Sequence, residues 1–218
     1  MRERTVASHF ARAALGGARR LGFDYSGLLL QLGISPELLD EPRARIAPEQ
    51  FTRLIQSLWL ALDDEYLGFG KAASKPGSFA MMCHASIHCR NLEKALQRGL
   101  LFYSLFPEAP RLTLSREDEW VRLSLDDSQL WDPDHFLSES LLVIWHRLGS
   151  WLIGQRIRLE QVTFSYPKPA HGAEYDLLFP CPLAFSADQT SLLFHSRYLH
   201  MPLLQDERTL KHFLERSP

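Results

Sequence analysis

A change in hydrophobic period near residue 110 restricts this chain more than any other feature of its sequence. Before that point, apolar residues recur at helical spacing. Phe51, Leu54, Ile55, Leu58 and Leu62 form one stripe, and Pro48 stands at a first helical position, where its missing N–H costs nothing. Thr5 to Leu21 and Tyr25 to Leu32 read as two earlier helices, the second stopped by Gly33, and Phe79 to Ile87 as a buried one. Asn91 is placed to cap a helix whose inward face carries Leu92, Ala95, Leu96, Gly99, Leu100 and Tyr103. Pro107 and Pro110 end it.

The period then becomes two. Leu112 and Leu114 alternate with polar residues, as do Val121, Leu123 and Leu125, and the charged turn Arg116–Glu119 separates the two runs. This is an antiparallel hairpin with one apolar face. Asp132-Pro133 opens the longest predicted helix, to about Gly154, with a seam at Leu137, Leu141, Ile144, Leu148 and Trp151. Its middle is apolar nearly all round, the mark of a central helix. Val162, Phe164 and Tyr166 alternate as a strand stopped by Pro167. A short helix (Gly172 to Phe179), strands at Leu183–Phe185 and Leu192–His195, and a polar helix from Asp206 close the chain. The expected class is α+β: a helical N-terminal part packed on a mostly antiparallel sheet, with a long central helix.

Composition narrows the function. The 218 residues carry 24 basic and 26 acidic side chains, a net charge of -2, where a domain that grips nucleic acid usually shows a basic face. No apolar run reaches membrane-spanning length, and Met1-Arg2-Glu3-Arg4 leads into no secretory signal. Three cysteines make no disulfide framework, which points to a reducing cytoplasm.

Four stretches in order carry a resemblance. They are Leu21-Gly22-Phe23-Asp24 with Leu32-Gly33-Ile34, then Asp63-Asp64-Glu65-Tyr66-Leu67-Gly68-Phe69-Gly70, then Gly77-Ser78-Phe79 leading to Asn91-Leu92-Glu93-Lys94-Ala95-Leu96. The last is Phe164-x-Tyr166-Pro167-x-Pro169 with Tyr175 and Leu178-Phe179-Pro180-Cys181-Pro182-Leu183-Ala184-Phe185. Together they resemble the N-terminal arabinose-binding-type domain of AraC-type transcription regulators. Asp64-Glu65 stands where a proline is usual, and Tyr166 where many members have His. The resemblance implies a fold closer to the mixed α/β fold of haem-based gas sensors than to a cupin-like barrel. It also implies an effector-sensing and dimerisation domain over residues 1–205, with 206–218 beginning a linker to a helix-turn-helix domain that this sequence does not contain.

Other chemistries have little to stand on. In Cys83-His84-Ala85-Ser86-Ile87-His88-Cys89 the two histidines share a helix face, yet there is no C-x-x-C knuckle and no Glu at the H-E-x-x-H position. A buried helix with hydrogen-bonded histidines is the plainer reading. No G-x-S-x-G elbow occurs, and the carboxylate pairs Asp126-Asp127 and Glu174/Asp176 suit capping and solvation. Leu28 to Asp40 has the leucines and small-residue turn of a helix-turn-helix, but its second helix is acidic and would repel phosphate. No catalytic residue, metal ligand or cofactor is assigned.

What remains is an aromatic interior. Phe79, Met82, Ser86, Tyr103, Phe106, Trp145, His146 and Trp151 are candidate lining for an effector pocket. Trp120, Arg122 and Ser124 share a strand face that either meets solvent or lines a cavity in which Arg122 holds a carboxylate. The expectation is a non-enzymatic sensor of a small hydrophobic or amphipathic effector, such as a fatty-acid derivative. It would act as a homodimer, because paired half-sites need two reading heads, and touch DNA only through a further domain. A ligand-free dimerisation module is the alternative, and a haem or metal sensor a third.

Overall fold

The computed structural model describes residues 5–41 and 43–215. The described residues divide into two compact units: one holds residues 5–78 together with Leu130–Leu137, the other Phe79–Gln129 and residues 138–215.

In the first unit a two-residue strand β1 (Val6–Ala7) pairs antiparallel with β2 (Arg45–Ile46). Helices α1 (Ser8–Arg20), α2 (Ser26–Gln31), α3 (Pro36–Asp40) and α4 (Pro48–Leu62) surround them. The predicted α4 stripe is observed, with Leu54, Ile55 and Leu58 buried. Gln50 organises its start, accepting the Ala47 N–H at 3.1 Å and donating to the Leu32 carbonyl at 3.1 Å. The turn after α4 is built on buried Asp64, whose carboxylate accepts the N–H groups of Tyr66, Gly68 and Ser74 at 2.7–2.8 Å. Three charge-assisted bonds to one carboxylate fix this loop. They bring its backbone so close to α1 that a Cβ on Gly17 would lie 1.9 Å from the Leu67 carbonyl oxygen.

The second unit contains α5 (Ser78–Ser86), α6 (Leu92–Ser104), most of α7 (Phe136–Leu152), α8 (Tyr175–Leu178) and α9 (Glu207–Glu215). Its sheet consists of β3 (Arg111–Glu117), β4 (Trp120–Asp126), β5 (Leu159–Thr163), β6 (Leu183–Ala184) and β7 (Thr190–His195), in the order β3-β4-β7-β5-β6. Every pairing is antiparallel except β5 with β6. The fold is α+β with a mostly antiparallel sheet, as the change of period requires. Asn91 caps α6, its side chain accepting the Lys94 N–H at 3.1 Å. Along α7 only Arg147 is exposed, in keeping with its all-round apolar middle.

The first helix begins at Ser8 rather than Thr5, because Val6–Ala7 form β1. The short helix expected over Gly172 to Phe179 spans only Tyr175–Leu178. Two further boundaries have a cause visible in the hydrogen bonding. Helix α7 starts at Phe136 rather than at Asp132-Pro133, because Trp131 donates its N–H to the Phe69 carbonyl and His135 takes a left-handed backbone (φ 58°). Strand β5 ends at Thr163, although the alternation runs on to Tyr166. The Ser165 N–H turns to the Thr190 hydroxyl instead of the ladder.

Candidate functional site

In the second unit, four helices close around one interstice. Cys83 and Ser86 of α5, Ala95 and Leu96 of α6, Trp145, Leu148, Trp151 and Leu152 of α7, and Leu210 of α9 line it. The spacing explains the convergence: Cys83 and Ser86 are one turn apart on α5, and Trp145, Leu148 and Leu152 form an i, i+3, i+7 row on α7. The lining is almost wholly apolar. The Ser86 hydroxyl, buried, donates to the Met82 sulfur at 3.8 Å. Gly99 lets the α6 backbone meet the Trp145 ring, since a Cβ there would stand 2.8 Å from Cη2 and 2.9 Å from Met82 Sδ. Tyr103 meets Trp145 edge-on at 6.4 Å between centroids. On the far side, Trp151 stacks on Phe213 of α9 at 4.4 Å. The side chains close so tightly that no water molecule fits among them.

Of the residues expected to line a pocket, Ser86, Trp145 and Trp151 line this interstice, with Met82 beside Ser86 and Tyr103 against Trp145. The others lie elsewhere. Phe79 is half-buried in the first turn of α5. Phe106 is 47% exposed beyond the end of α6, against Phe102. His146 is buried on another face of α7 and its Nε2–H donates to the Ile157 carbonyl at 2.8 Å. Burial holds this imidazole below its ordinary pKa; the Ile157 bond opposes the shift, and Arg156 and Arg147 add to it.

Arg122 lies on the sheet face opposite buried Val121, Leu123 and Leu125. Its guanidinium grips Glu117 through two bonds, Nε to Oε1 at 2.6 Å and Nη2 to Oε2 at 2.9 Å, and Nη1 donates to Ser191 at 3.1 Å. The Glu117 hydrogen bond raises the Arg122 pKa further, and the same bond lowers that of Glu117. The carboxylate that Arg122 holds is thus one from its own hairpin.

The histidines of the Cys83–Cys89 string do not share a helix face. Helix α5 ends at Ser86; exposed His88 beyond it approaches Glu207 of α9 at 3.0 Å. Among the described residues no group of three His, Cys, Asp or Glu side chains is placed to hold a metal. No described helix is long and apolar enough to cross a membrane.

Sequence reasoning missed a second polar cluster. Glu139, in the first turn of α7, is 3% exposed and accepts hydrogen bonds from the hydroxyls of Tyr175 and Tyr166, the latter at 3.4 Å. The two phenols are 3.1 Å apart, and His171 Nε2 stands 3.7 Å from the same carboxylate oxygen. Phe164 and Phe185 pack against Tyr175. One signal was available: Glu139 is the lone carboxylate of α7, among buried neighbours.

Residues 22–203 match the family model described as the arabinose-binding domain of AraC transcription regulators, N-terminal. The chain is 26% identical over 197 residues to an ornithine utilization regulator of Pseudomonas aeruginosa, covering 89% of this chain and 58% of that protein. A crystal structure of the transcriptional regulator CdpR from Pseudomonas aeruginosa shares 16% identity at a TM-score of 0.48, covering 84% of this chain and 57% of that one. The chain thus spans somewhat over half the length of the relatives it matches. With most of its length matched by that one family model, the chain belongs to the N-terminal arabinose-binding domains of AraC transcription regulators.

Proposed function

We propose that this chain is the non-enzymatic, effector-sensing part of an AraC-type regulator, and that its effector is a small hydrophobic or amphipathic molecule, such as a fatty-acid derivative. The observation that carries the reading is the convergence of Ser86, Trp145 and Trp151 on one apolar interstice, with the Ser86 hydroxyl as its polar point. Arg122 takes no part, being already engaged by Glu117. An effector acts here by population shift: it favours whichever arrangement of α5, α6, α7 and α9 makes room for it. A DNA-binding domain attached to the chain then reads the change in a cytoplasmic homodimer.

The tightness of the interstice favours a second reading, a ligand-free interaction module with a filled interior. Comparing the mass of the native protein with its denatured mass, then titrating it with dodecanoate while following tryptophan emission, separates the two. Ornithine serves as the comparison probe, because one relative is named for its utilization. A saturable response to dodecanoate supports the sensor with an apolar effector, and a response to ornithine alone moves the effector class to amino acids. No bound mass and no response to either leaves the interaction module.

A further inference from the structure

Strand β3 is an end strand of the five-stranded sheet, and five of its seven residues are exposed. Its register with β4 is unbroken from Arg111↔Asp126 to Glu117↔Trp120, so no bulge bends it away. Proteins usually blunt such an edge with proline, lysine, a bulge or an inward charge. Here the strand contains no proline or lysine, and its one charge on the core-facing side, Arg116, is already paired with Glu93 of α6 at 2.7 Å.

The two-residue turn Asp118-Glu119 makes Glu117 and Trp120 a hydrogen-bonded pair. By alternation, residues 111, 113, 115 and 117 bond to β4, and the backbone groups of Leu112, Leu114 and Arg116 point outward. A two-fold antiparallel pairing of identical strands centred on an outward-pointing residue makes the central pair a hydrogen-bonded one.

We propose that this edge is the self-association surface of the chain: β3 of one copy pairs antiparallel with β3 of a second, about a two-fold axis at Leu114. This rests on the reading above that the chain acts as a dimer and names the surface it uses. Charge adds to the choice of occupant and register, each Glu117 being shared between Arg122 of its own hairpin and Arg111 of the second copy. Centring on Leu114 is the choice that pairs all seven residues. It sets Arg111 opposite Glu117 of the second copy, Thr113 opposite Ser115, and Leu114 against its own copy. Centring on Arg116 would oppose two guanidinium groups. Exposed Leu101, Leu105 and Phe106, at the end of the helix that packs on β3 and leads into it, add apolar surface beside the strand. Helix α1 has no such face to offer, since Ala11, Ala14, Leu15 and Ala18 are spent inside the first unit.

Sedimentation equilibrium of the whole 25.1 kDa chain tests this. The wild type is expected at twice the monomer mass. R111E opposes two glutamates at both symmetric positions and weakens association about tenfold or more. L114K, which puts two ammonium groups on the axis, gives monomer. Hydrogen exchange adds an independent readout: the amides of residues 112, 114 and 116 gain protection as concentration rises. A chain monomeric at every concentration overturns both the edge pairing and the dimer reading. A dimer indifferent to R111E and L114K overturns the edge pairing alone.

Discussion

Replacing Tyr175 with phenylalanine removes the hydroxyl that joins Tyr166 to the most deeply buried carboxylate of the second unit. Tyr175 is fully buried, and its hydroxyl donates to Glu139 Oε1, to which Tyr166 donates at the longer distance of 3.4 Å. Phenylalanine keeps the ring against Phe164 and Phe185, so packing changes little and the loss falls on the polar contact. A hydrogen bond to a charged group contributes about 1.5–3 kcal/mol, and the carboxylate left short of a donor has no water to replace it. We expect Tyr175→Phe to cost about 2–3 kcal/mol, and Tyr166→Phe, with the longer bond, about 1 kcal/mol. For a chain of this length that is a fall in Tm of roughly 4–12 °C against 2–4 °C. Urea denaturation followed by tryptophan emission gives both values in one assay, since Trp145 and Trp151 lie in the same unit. Equal stability of wild type and Tyr175→Phe, or a larger loss for Tyr166→Phe, would refute the assignment of Tyr175 as the principal donor.

Gly17→Ala gains about 1 kcal/mol of helix propensity but drives a Cβ into the Leu67 carbonyl oxygen. Backbone must move, so calorimetry should show net destabilisation, with overpacking costing about 1–3 kcal/mol or more. His146 is held neutral in the fold, so its contribution to stability is complete above its unfolded pKa of about 6.5 and is lost as pH falls toward its lowered folded value. His146→Gln should flatten the denaturation midpoint between about pH 7 and 5; an unchanged acid slope contradicts the burial argument. Burial, with the charge of Glu160 adding to it, raises the Cys181 thiol above its ordinary pKa. Iodoacetamide should therefore label Cys181 more slowly than a free cysteine at mildly alkaline pH, as peptide mass mapping will show.

Elements whose cause is local were legible in the sequence. The α4 stripe, the Asn91 cap and the β3–β4 hairpin each depend on residues within a turn or two of one another. Elements caused at long range were not. The strands β1 and β2 are two residues each, and Val6 meets Ile46 with no periodicity to announce it. The start of α7 misled for the same reason: Asp132-Pro133 has the chemistry of a helix start, yet the Trp131–Phe69 bond, far apart in sequence, holds that segment out of the helix. Arg122 was correctly placed on the polar face by alternation, but its partner Glu117 follows only from the side-chain geometry of the hairpin. Glu139 was passed over because its donors stand 27 and 36 residues along the chain.

The dryness of the interstice among α5, α6, α7 and α9 bears on timing. A site with no standing void cannot be entered by diffusion alone. For the effector site proposed above, the on-rate would be capped by how often lining side chains such as Leu210 move aside. Molecules of very different affinity would then arrive at similar rates and differ in how long they stay. Such a receptor ranks its ligands by residence time, and a brief visitor leaves α9 where it was.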